Sequence, residues 1–214
     1  MRTEGSTILF GAGGHAKVVF DAIEAMQGEQ VKLTVVDDNP ALVGHDFFGI
    51  RVQRGDACEQ LTAFRFHVAI GRNDVRRSVF DRLCGQGGLP LSVVHPQAQV
   101  SRHARVGEGS FLAAGCVVAP ASAIAEGVIV NHAAVVDHDC WLGAYSHIAP
   151  NVTLGGNVRI GAGVLVGAGA VILPGVSVGD GCTIGAGAVV IANVPASSTV
   201  VGVPGRMLQK GNSH

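Results

Sequence analysis

Apolar residues recur along this chain with two different periods, and the change falls near residue 90. In the first part, the short apolar run Thr7-Ile8-Leu9-Phe10 reads as a strand and is followed by Gly11-Ala12-Gly13-Gly14. From His15 to Gln27 the apolar residues Ala16, Val19, Phe20, Ile23 and Met26 fall at helical spacing. Val31 to Val36 reads as a second strand, ended by the turn signal Asp37-Asp38-Asn39-Pro40. Phe66 to Ile70 reads as a third. Asn73 or Asp74 is predicted to cap a helix on which Val75, Val79 and Leu83 recur, closed by Gly85-Gln86-Gly87-Gly88. Strands alternating with helices predict a small parallel α/β domain over residues 1–90.

After residue 90 the period becomes six. Stepping from Val94 to Val190 meets a Val, Ile or Leu at all 17 positions, with no insertion to break the frame. Two residues before each stands Ser, Ala, Cys or Val, and Gly often follows, as at Gly107, Gly143, Gly155, Gly161, Gly167, Gly179 and Gly185. Neither a 3.6-residue helix nor a lone strand keeps such a period. A triangular solenoid does, with three short strands and three turns in each 18-residue coil. The aliphatic is expected at an inner corner, the small residue beside it, and the following Gly relieving the turn. Residues 91–214 therefore read as a β-solenoid of nearly six coils with a C-terminal tail.

Composition removes other classes. Charged residues are 14% of the chain and the formal net charge is −1, so there is no basic excess to neutralise the phosphates of a nucleic acid. A hydrophobic fraction of 48% argues against disorder. Gly is 31 of 214 residues, about twice the usual share, as expected of many tight turns. The uncharged stretches Ile160–Gly179 and Gly181–Gly205 have the length of membrane helices but keep the six-residue period and carry Gly and Pro. The start, MRTEGSTILFGAGG, reads as no signal peptide. Five dispersed cysteines form neither a metal motif nor an obvious disulfide set, so a reduced cytoplasmic protein without a metal is expected.

Two segments carry candidate chemistry. Gly11-Ala12-Gly13-Gly14-His15-Ala16 fits G-x-G-x-x-[GA] between a strand and a helix, the Rossmann-like arrangement in which backbone and helix N-terminus receive a phosphate. Asp37 ends the second strand, where an acid meets a ribose hydroxyl. The bland alternative is a Gly turn that only packs helix on sheet. In the solenoid, Val136-Asp137-His138-Asp139-Cys140 is the densest polar cluster, and a His flanked by carboxylates suits a general base. Its bland alternative is a solvated turn.

A nucleotide-binding α/β domain fused to an uninterrupted hexapeptide solenoid resembles the NeuD/PglD-type sugar acyltransferases, whose solenoid is a left-handed parallel β-helix. The resemblance is carried by the segment Gly11 to Val19, Val36-Asp37-Asp38, Ile70-Gly71-Arg72-Asn73, Val94-His95-Pro96, Asp137-His138-Asp139-Cys140 and the closing Val201-Gly202-Val203-Pro204-Gly205-Arg206. It implies acetyl transfer from acetyl-CoA to the amine of a nucleotide-linked amino sugar, with His138 as base and an acid beside it. Some members have Glu where Asp139 stands, which leaves open whether Asp139 or Asp137 orients the ring. The resemblance also implies that His147, Asn131 and Gly167 serve the acetyl-CoA site. Gly11, Gly13, Gly14, His15, Asp37, Asp38 and Asn73 would hold the nucleotide sugar. A homotrimer with acetyl-CoA between neighbouring prisms is the implied assembly, with no nucleic-acid or membrane partner.

Rival readings are O-acetylation of a sugar hydroxyl, a metal lyase on the same prism, a non-enzymatic scaffold, and an NAD-dependent oxidoreductase read from the Gly motif alone. Spacings of six and nine among His132, His138 and His147 do not fit the lyase, and the polar cluster speaks against a scaffold. Cys140 occupies the small-residue register shared by Cys116, Cys182, Ala98, Ala134 and Ala188, so direct transfer without an acetyl-enzyme is expected. His132 is read as structural or at the substrate edge, and His95 as fixing the solenoid entrance. His45, His67 and His103 fit no pattern.

Overall fold

The computed structural model describes residues 6–27, 32–60 and 64–208. The N-terminal domain is a five-stranded parallel sheet. In sheet order its strands are Gln53–Arg54, Leu33–Asp37, Ser6–Phe10, Phe64–Val68 and Leu89–Pro90. Helix α1 (Gly14–Gln27), helix α2 (Asn73–Gly85), a short antiparallel hairpin (Asp46–Phe47 with Ile50–Arg51) and a 3-10 helix (Gly55–Gln60) accompany it. The chain leaves Ser6–Phe10 first toward one edge and then toward the other. The crevice at its carboxyl end, between Gly11 and Ala69, is therefore the switch point of the sheet. Leu9 packs with Ala16, Val19 and Ile23 of α1, while Ile8 and Phe10 pack with Val79, Phe80 and Leu83 of α2.

Several sequence expectations shift. The third strand is Phe64–Val68, two residues earlier than the apolar run suggests, because its partner strand ends at Phe10, whose carbonyl accepts the last ladder bond from the Ala69 amide (2.7 Å). The second strand runs over Leu33–Asp37, and Val31 lies outside the described residues. The cap of α2 is Arg72, with no side-chain cap bond, and neither Asn73 nor Asp74 fills that role. Asp74 instead pairs with Arg72 (2.7 Å).

From Val93 the chain coils into a triangular prism with three parallel-stranded faces. Face I holds Val93–Val94, Phe111–Leu112, Ile129–Val130, His147–Ile148, Leu165–Val166, Thr183–Ile184 and Thr199–Val201. Face II holds Gln99–Val100, Val117–Val118, Val135–Val136, Thr153–Leu154, Val171–Ile172 and Val189–Val190. Face III holds Arg105–Val106, Ala123–Ile124, Trp141–Leu142, Arg159–Ile160 and Ser177–Val178. The hexad aliphatic is the second, inward residue of each two-residue strand and not a corner residue. From Leu112 to Val190 every one is buried, whereas Val94, Val100 and Val106 of the first coil are only partly covered. After Val190 the period breaks. Val194 bridges to Val178, and Arg206–Met207 turns back antiparallel on Val200–Val201 to close the prism.

Glycine serves two registers, for two reasons. The one directly after the aliphatic is a matter of space: a Cβ on Gly143 would lie 2.5 Å from the backbone at Gly161 and Ala162 of the next coil. The left-handed turn residue is two positions further on, as at Gly169 (φ +69°), where a Cβ would meet nothing. Turn relief therefore belongs to the second register, not to the glycine that follows the aliphatic. That turn register also holds Asp139 (φ +60°), Tyr145 (φ +57°), Asn151 (φ +59°) and Asn157 (φ +57°).

The domains share their apolar core. Val93, Phe111, Ala113 and Ile129 of the prism cluster with α1, and Tyr145 joins the cluster of α2. Gly143→Ala is expected to destabilise the protein by more than about 3 kcal/mol, since packed backbone cannot move aside. Gly169→Ala is expected to cost about 1–2 kcal/mol, the left-handed penalty alone. Thermal unfolding of the two variants checks the order, and equal losses would contradict the two-register reading.

Candidate active site

The polar residues gather in three places. The first is the turn that joins faces II and III. There His138 and Asp139 are the turn residues, and His138 Nδ1 lies 2.8 Å from Asp139 Oδ2. Asp137 turns inward on the backbone instead, its Oδ1 accepting the His138 amide at 2.7 Å. Asp139 is thus the acid that meets the ring. A left-handed backbone also accounts for a short acid here, since Asp adopts it more readily than longer side chains do. The bond to Asp139, and then the charge of Asp137, raise the His138 pKa above its ordinary 6.5. The ring lies over Gly156 of the next coil, where a Cβ would come within 2.6 Å of it, a support the sequence reading did not single out. Cys140, beside the pair, is buried and directs its thiol at the Gly155 carbonyl (3.2 Å). Burial raises its pKa, so it is no thiolate nucleophile.

The second place is the junction between the sheet's switch point and face I. Arg76 of α2 is 1% exposed. It donates to the Ile70 and Gly71 carbonyls (3.0 and 3.1 Å) in its own domain and to those of Gly127 and Tyr145 (both 2.8 Å) in the prism. Asn73 Oδ1 accepts from the same guanidinium at 2.9 Å, and Asn73 Nδ2 reaches the Gly163 and Val164 carbonyls (3.0 and 3.1 Å). Asn73 therefore ties the domains together. His147 sits beside them, 3.3 Å from the Gly71 carbonyl through Nδ1 and 3.3 Å from Asn131 Nδ2 through Nε2. His15 lies 6.2 Å from the His147 ring and edge-on to Phe111, with its Nε2 enclosed and unpartnered. His67, also edge-on to Phe111, bonds the Leu91 carbonyl at 2.8 Å. Burial is the first cause that depresses all three imidazoles, to about 3 for His15 and about 4 for His67 and His147.

The third place is the carboxyl edge of the N-terminal sheet. Asp37 accepts the Ala12 amide with one oxygen and the Asn39 amide with the other (both 2.8 Å), which fastens the glycine loop to the second strand. Gly11 has φ +114°, and a Cβ there would strike the Ala69 carbonyl at 2.8 Å. Gly13 and Gly14 face open space. Asp38 pairs with Arg82 (2.8 Å) at the rim of a cavity of about 360 Å³, whose lining also includes Arg54, Asp56 and Gln86.

Sequence reasoning set His138 between two acids and left its partner open between Asp137 and Asp139, and it missed Arg76, which reads in the sequence as one of several arginines on a helix. Gly167 needs no ligand to explain it, because the next coil's backbone at Ala186 would lie 2.6 Å from its Cβ. His95 Nδ1 accepts the Gln97 amide at 3.0 Å at the entrance to the prism, and exposed His132 occupies the turn between faces I and II. Among the described residues no group of three His, Cys, Asp or Glu side chains is placed to hold a metal ion, and no helix is long and apolar enough to cross a membrane.

Comparison with known proteins covers both domains. A family model described as the PglD N-terminal domain matches residues 7–83. Models of the bacterial transferase hexapeptide and of the succinyl-transferase hexapeptide repeat match residues 157–192 and 134–166. GDP-perosamine N-acetyltransferase of Escherichia coli O157:H7 is 30% identical over 148 residues, an alignment covering 66% of each chain. A histidine-to-alanine mutant of GDP-perosamine N-acetyltransferase from Caulobacter crescentus, solved with CoA and GDP-perosamine, superposes with a TM-score of 0.89. It is 33% identical, over 97% of this chain and 99% of that one. The acetyltransferase domain of PglB from Neisseria gonorrhoeae FA1090, solved with acetyl coenzyme A, gives a TM-score of 0.89 at 36% identity, over 95% and 98% of the two chains. The prism is accordingly a left-handed parallel β-helix.

The junction histidines set an acid limit on stability. Their folded pKa values lie below the ordinary 6.5, so their contribution is complete above that pH and is lost as pH falls from 6.5 toward about 4. Each group is expected to add up to about 1.4 kcal/mol per pH unit to the slope in that window. Denaturant unfolding at several pH values between 7.5 and 4.5 measures it, and a flat profile above pH 5 would contradict the assignment.

Proposed function

This chain belongs to the NeuD/PglD-type family of sugar acyltransferases, and we infer from the geometry of its site that it transfers an acetyl group from acetyl-CoA to the amine of a nucleotide-linked amino sugar. The observation that carries this reading is the His138–Asp139 pair. Asp139 accepts from Nδ1, which leaves Nε2 as the free basic nitrogen on an exposed edge of the prism. Nε2 would take a proton from the neutral amine as its nitrogen attacks the thioester carbonyl. Asp139 would stabilise the imidazolium, and the proton would pass to the departing CoA sulfur. The products are the N-acetylated sugar and CoA. Cys140, occupied with the Gly155 carbonyl and held as a thiol, supports direct transfer.

The N-terminal domain would hold the nucleotide. The open backbone at Gly13 and Gly14, at the N-terminus of α1, suits the phosphates, and the cavity rimmed by Asp38, Arg82 and Gln86 suits the base. The relatives favour an amine over a hydroxyl acceptor, since two of those described above are named N-acetyltransferases.

His138 and His147 are nine residues apart, half of an 18-residue coil, so they lie on opposite sides of one prism. A site that uses both needs a second copy. Face II supports that arrangement, because its outward residues Val117, Val135, Val171 and Val189 form two apolar pairs, separated by exposed Thr153, that remain partly exposed among the described residues. We infer a homotrimer with sites between neighbouring prisms. Cys84, Cys116, Cys140 and Cys182, all thiols, suit the reducing cytoplasm.

His138→Ala is expected to lower kcat by about 10²–10⁴-fold with the thermal transition unmoved, because the ring is exposed. In the native enzyme kcat should rise with pH through a pKa above 6.5, and that limb should change in the variant on the same acceptor. Release of CoA thiol with nucleotide amino sugars as acceptors measures both. A folded variant with near-normal kcat would remove the base assignment.

Co-expression of His138→Ala with Asn131→Asp chains tests the assembly. Mixed trimers are expected to recover roughly a quarter of native activity, since random assembly leaves that share of interfaces intact on both sides. No recovery above the two parents would place each site within one chain.

A further inference from the structure

Many turns of the prism close on themselves. The amide of the small residue donates to the carbonyl three residues earlier, as Ala134 does to Asn131 (3.2 Å), Ala170 to Gly167 (3.1 Å) and Val176 to Leu173 (3.3 Å). Among the described residues no such bond joins Cys140 to Asp137, at the ends of the turn that carries His138. Ser122, one coil earlier on the same edge, sets its hydroxyl between them. Its Oγ donates to the Asp137 carbonyl at 2.7 Å and accepts the Cys140 amide at 3.2 Å. Ser122 is 1% exposed, so solvent does not compete, and its one hydrogen is committed to the carbonyl. Neighbouring coils hold the middle of the turn through backbone: the Asp139 amide donates to the Pro120 carbonyl (3.2 Å), and the His138 carbonyl accepts the Asn157 amide (2.8 Å). The small-residue column on this edge runs Ala104, Ser122, Cys140, Val158, Val176 and Val194. Its one hydroxyl stands next to the turn that bears the imidazole.

We propose that Ser122 is a positioning residue for the reaction: its hydroxyl spreads the Asp137–Cys140 turn so that the His138 ring and the Asp139 carboxylate meet. The proposal rests on the reading above that His138 is the base. With the hydroxyl in place, two hydrogen bonds in series separate the Asp137 carbonyl from the Cys140 amide. Without it the turn is free to close through one, as Leu173–Val176 does beside Val158, whose side chain has no polar atom. Closing draws the ends together and swings the two residues between them. Nδ1 and Oδ2 are 2.8 Å apart, so a swing of about 1 Å breaks their bond. The same bridge occurs where no imidazole depends on it. Ser110 donates to the Ala125 carbonyl (3.0 Å) and accepts the Val128 amide (3.2 Å) at the edge between faces III and I. That second bridge separates a role in folding from a role in aiming the base.

Titration of His138 by ¹H–¹³C spectra of the histidine-labelled protein, with its signal assigned by loss in His138→Ala, reads the ring without turnover. Asp139 and Asp137 are the charges that face it; the adjoining turns present Ala119, Pro120, Ala121, Gly155, Gly156 and Asn157, none of which titrates. The native pKa is expected above 6.5. In Ser122→Ala it is expected to fall toward 6.5, because the bond to Asp139 is the first cause that raises it. In the same variant kcat is expected to drop about 10- to 100-fold with KM for both substrates little changed, the cost of a base displaced by about 1 Å. Ser110→Ala should lower the thermal transition as Ser122→Ala does and leave the His138 pKa in place. Ser122→Cys should stand nearer the native values than Ser122→Ala, since the Cys140 thiol in this column already donates to a turn carbonyl, that of Gly155. An unmoved pKa or an unmoved kcat in Ser122→Ala, an equal pKa shift in Ser110→Ala, or no recovery in Ser122→Cys would each overturn the proposal. The column holds valine elsewhere, so if Ser122→Ala does not fold, Ser122→Val against Ser122→Cys makes the same comparison. A protein that acetylated no nucleotide amino sugar would sink the reading of function, with the titration still deciding the bridge. A His138 indifferent to Ser122 in an active enzyme would sink the positioning role alone.

Discussion

The constraint on which this structure rests is the uninterrupted six-residue frame of the prism. Each strand pairs with the one 18 residues further on, as Phe111 with Ile129, then His147, then Leu165. The frame gives each outward residue a face, a height and a neighbour above and below. A residue inserted within a strand would turn the inward aliphatic after it outward unless the next turn absorbed it as a bulge. The same frame sets His138 on the edge opposite face I, leaves Gly156 beneath its ring, and lines up the valines of face II. Chemistry here is a matter of position in a lattice before it is a matter of side chains.

The N-terminal domain joins that lattice through a buried charge, Arg76, that forms no ion pair among the described residues. A guanidinium enclosed in protein is costly unless its hydrogens are matched, and here carbonyls from both domains match them. Burial lowers the Arg76 pKa to about 10, so the group stays charged at neutral pH. The same positive charge helps keep His15, His67 and His147 neutral. An apolar contact between the domains would tolerate sliding. A fork of directed hydrogen bonds fixes one orientation.

Much of this was legible in the sequence, and the limits have physical causes. The hexads declared the solenoid because burial repeats with the chain itself. The His138 cluster stood out because polar residues crowd a turn in an apolar frame. Arg76 did not stand out, because its partners are carbonyls, and carbonyls leave no trace in a sequence. Asn73 looked like a helix cap for the same reason, since a short polar residue before a helix serves either role. The third strand of the sheet was misplaced because Ala69 and Ile70 are as apolar as the strand they follow. The half-coil separation of His138 and His147 was present in the numbering, and only the length of a coil gives it meaning.

Asp139 stands in the register that favours glycine, with φ +60°. Most turns of the later coils put glycine there, at Gly163, Gly169, Gly175, Gly181 and Gly187. A carboxylate at this point is held in a backbone shape that a residue without a side chain would adopt with less strain. Stability and activity are therefore in conflict at one position. Drift toward a more stable fold would favour glycine at residue 139 and would cost His138 its partner. Asp139 thus exchanges a relaxed turn for the 2.8 Å contact with His138 Nδ1, and no glycine could make that contact.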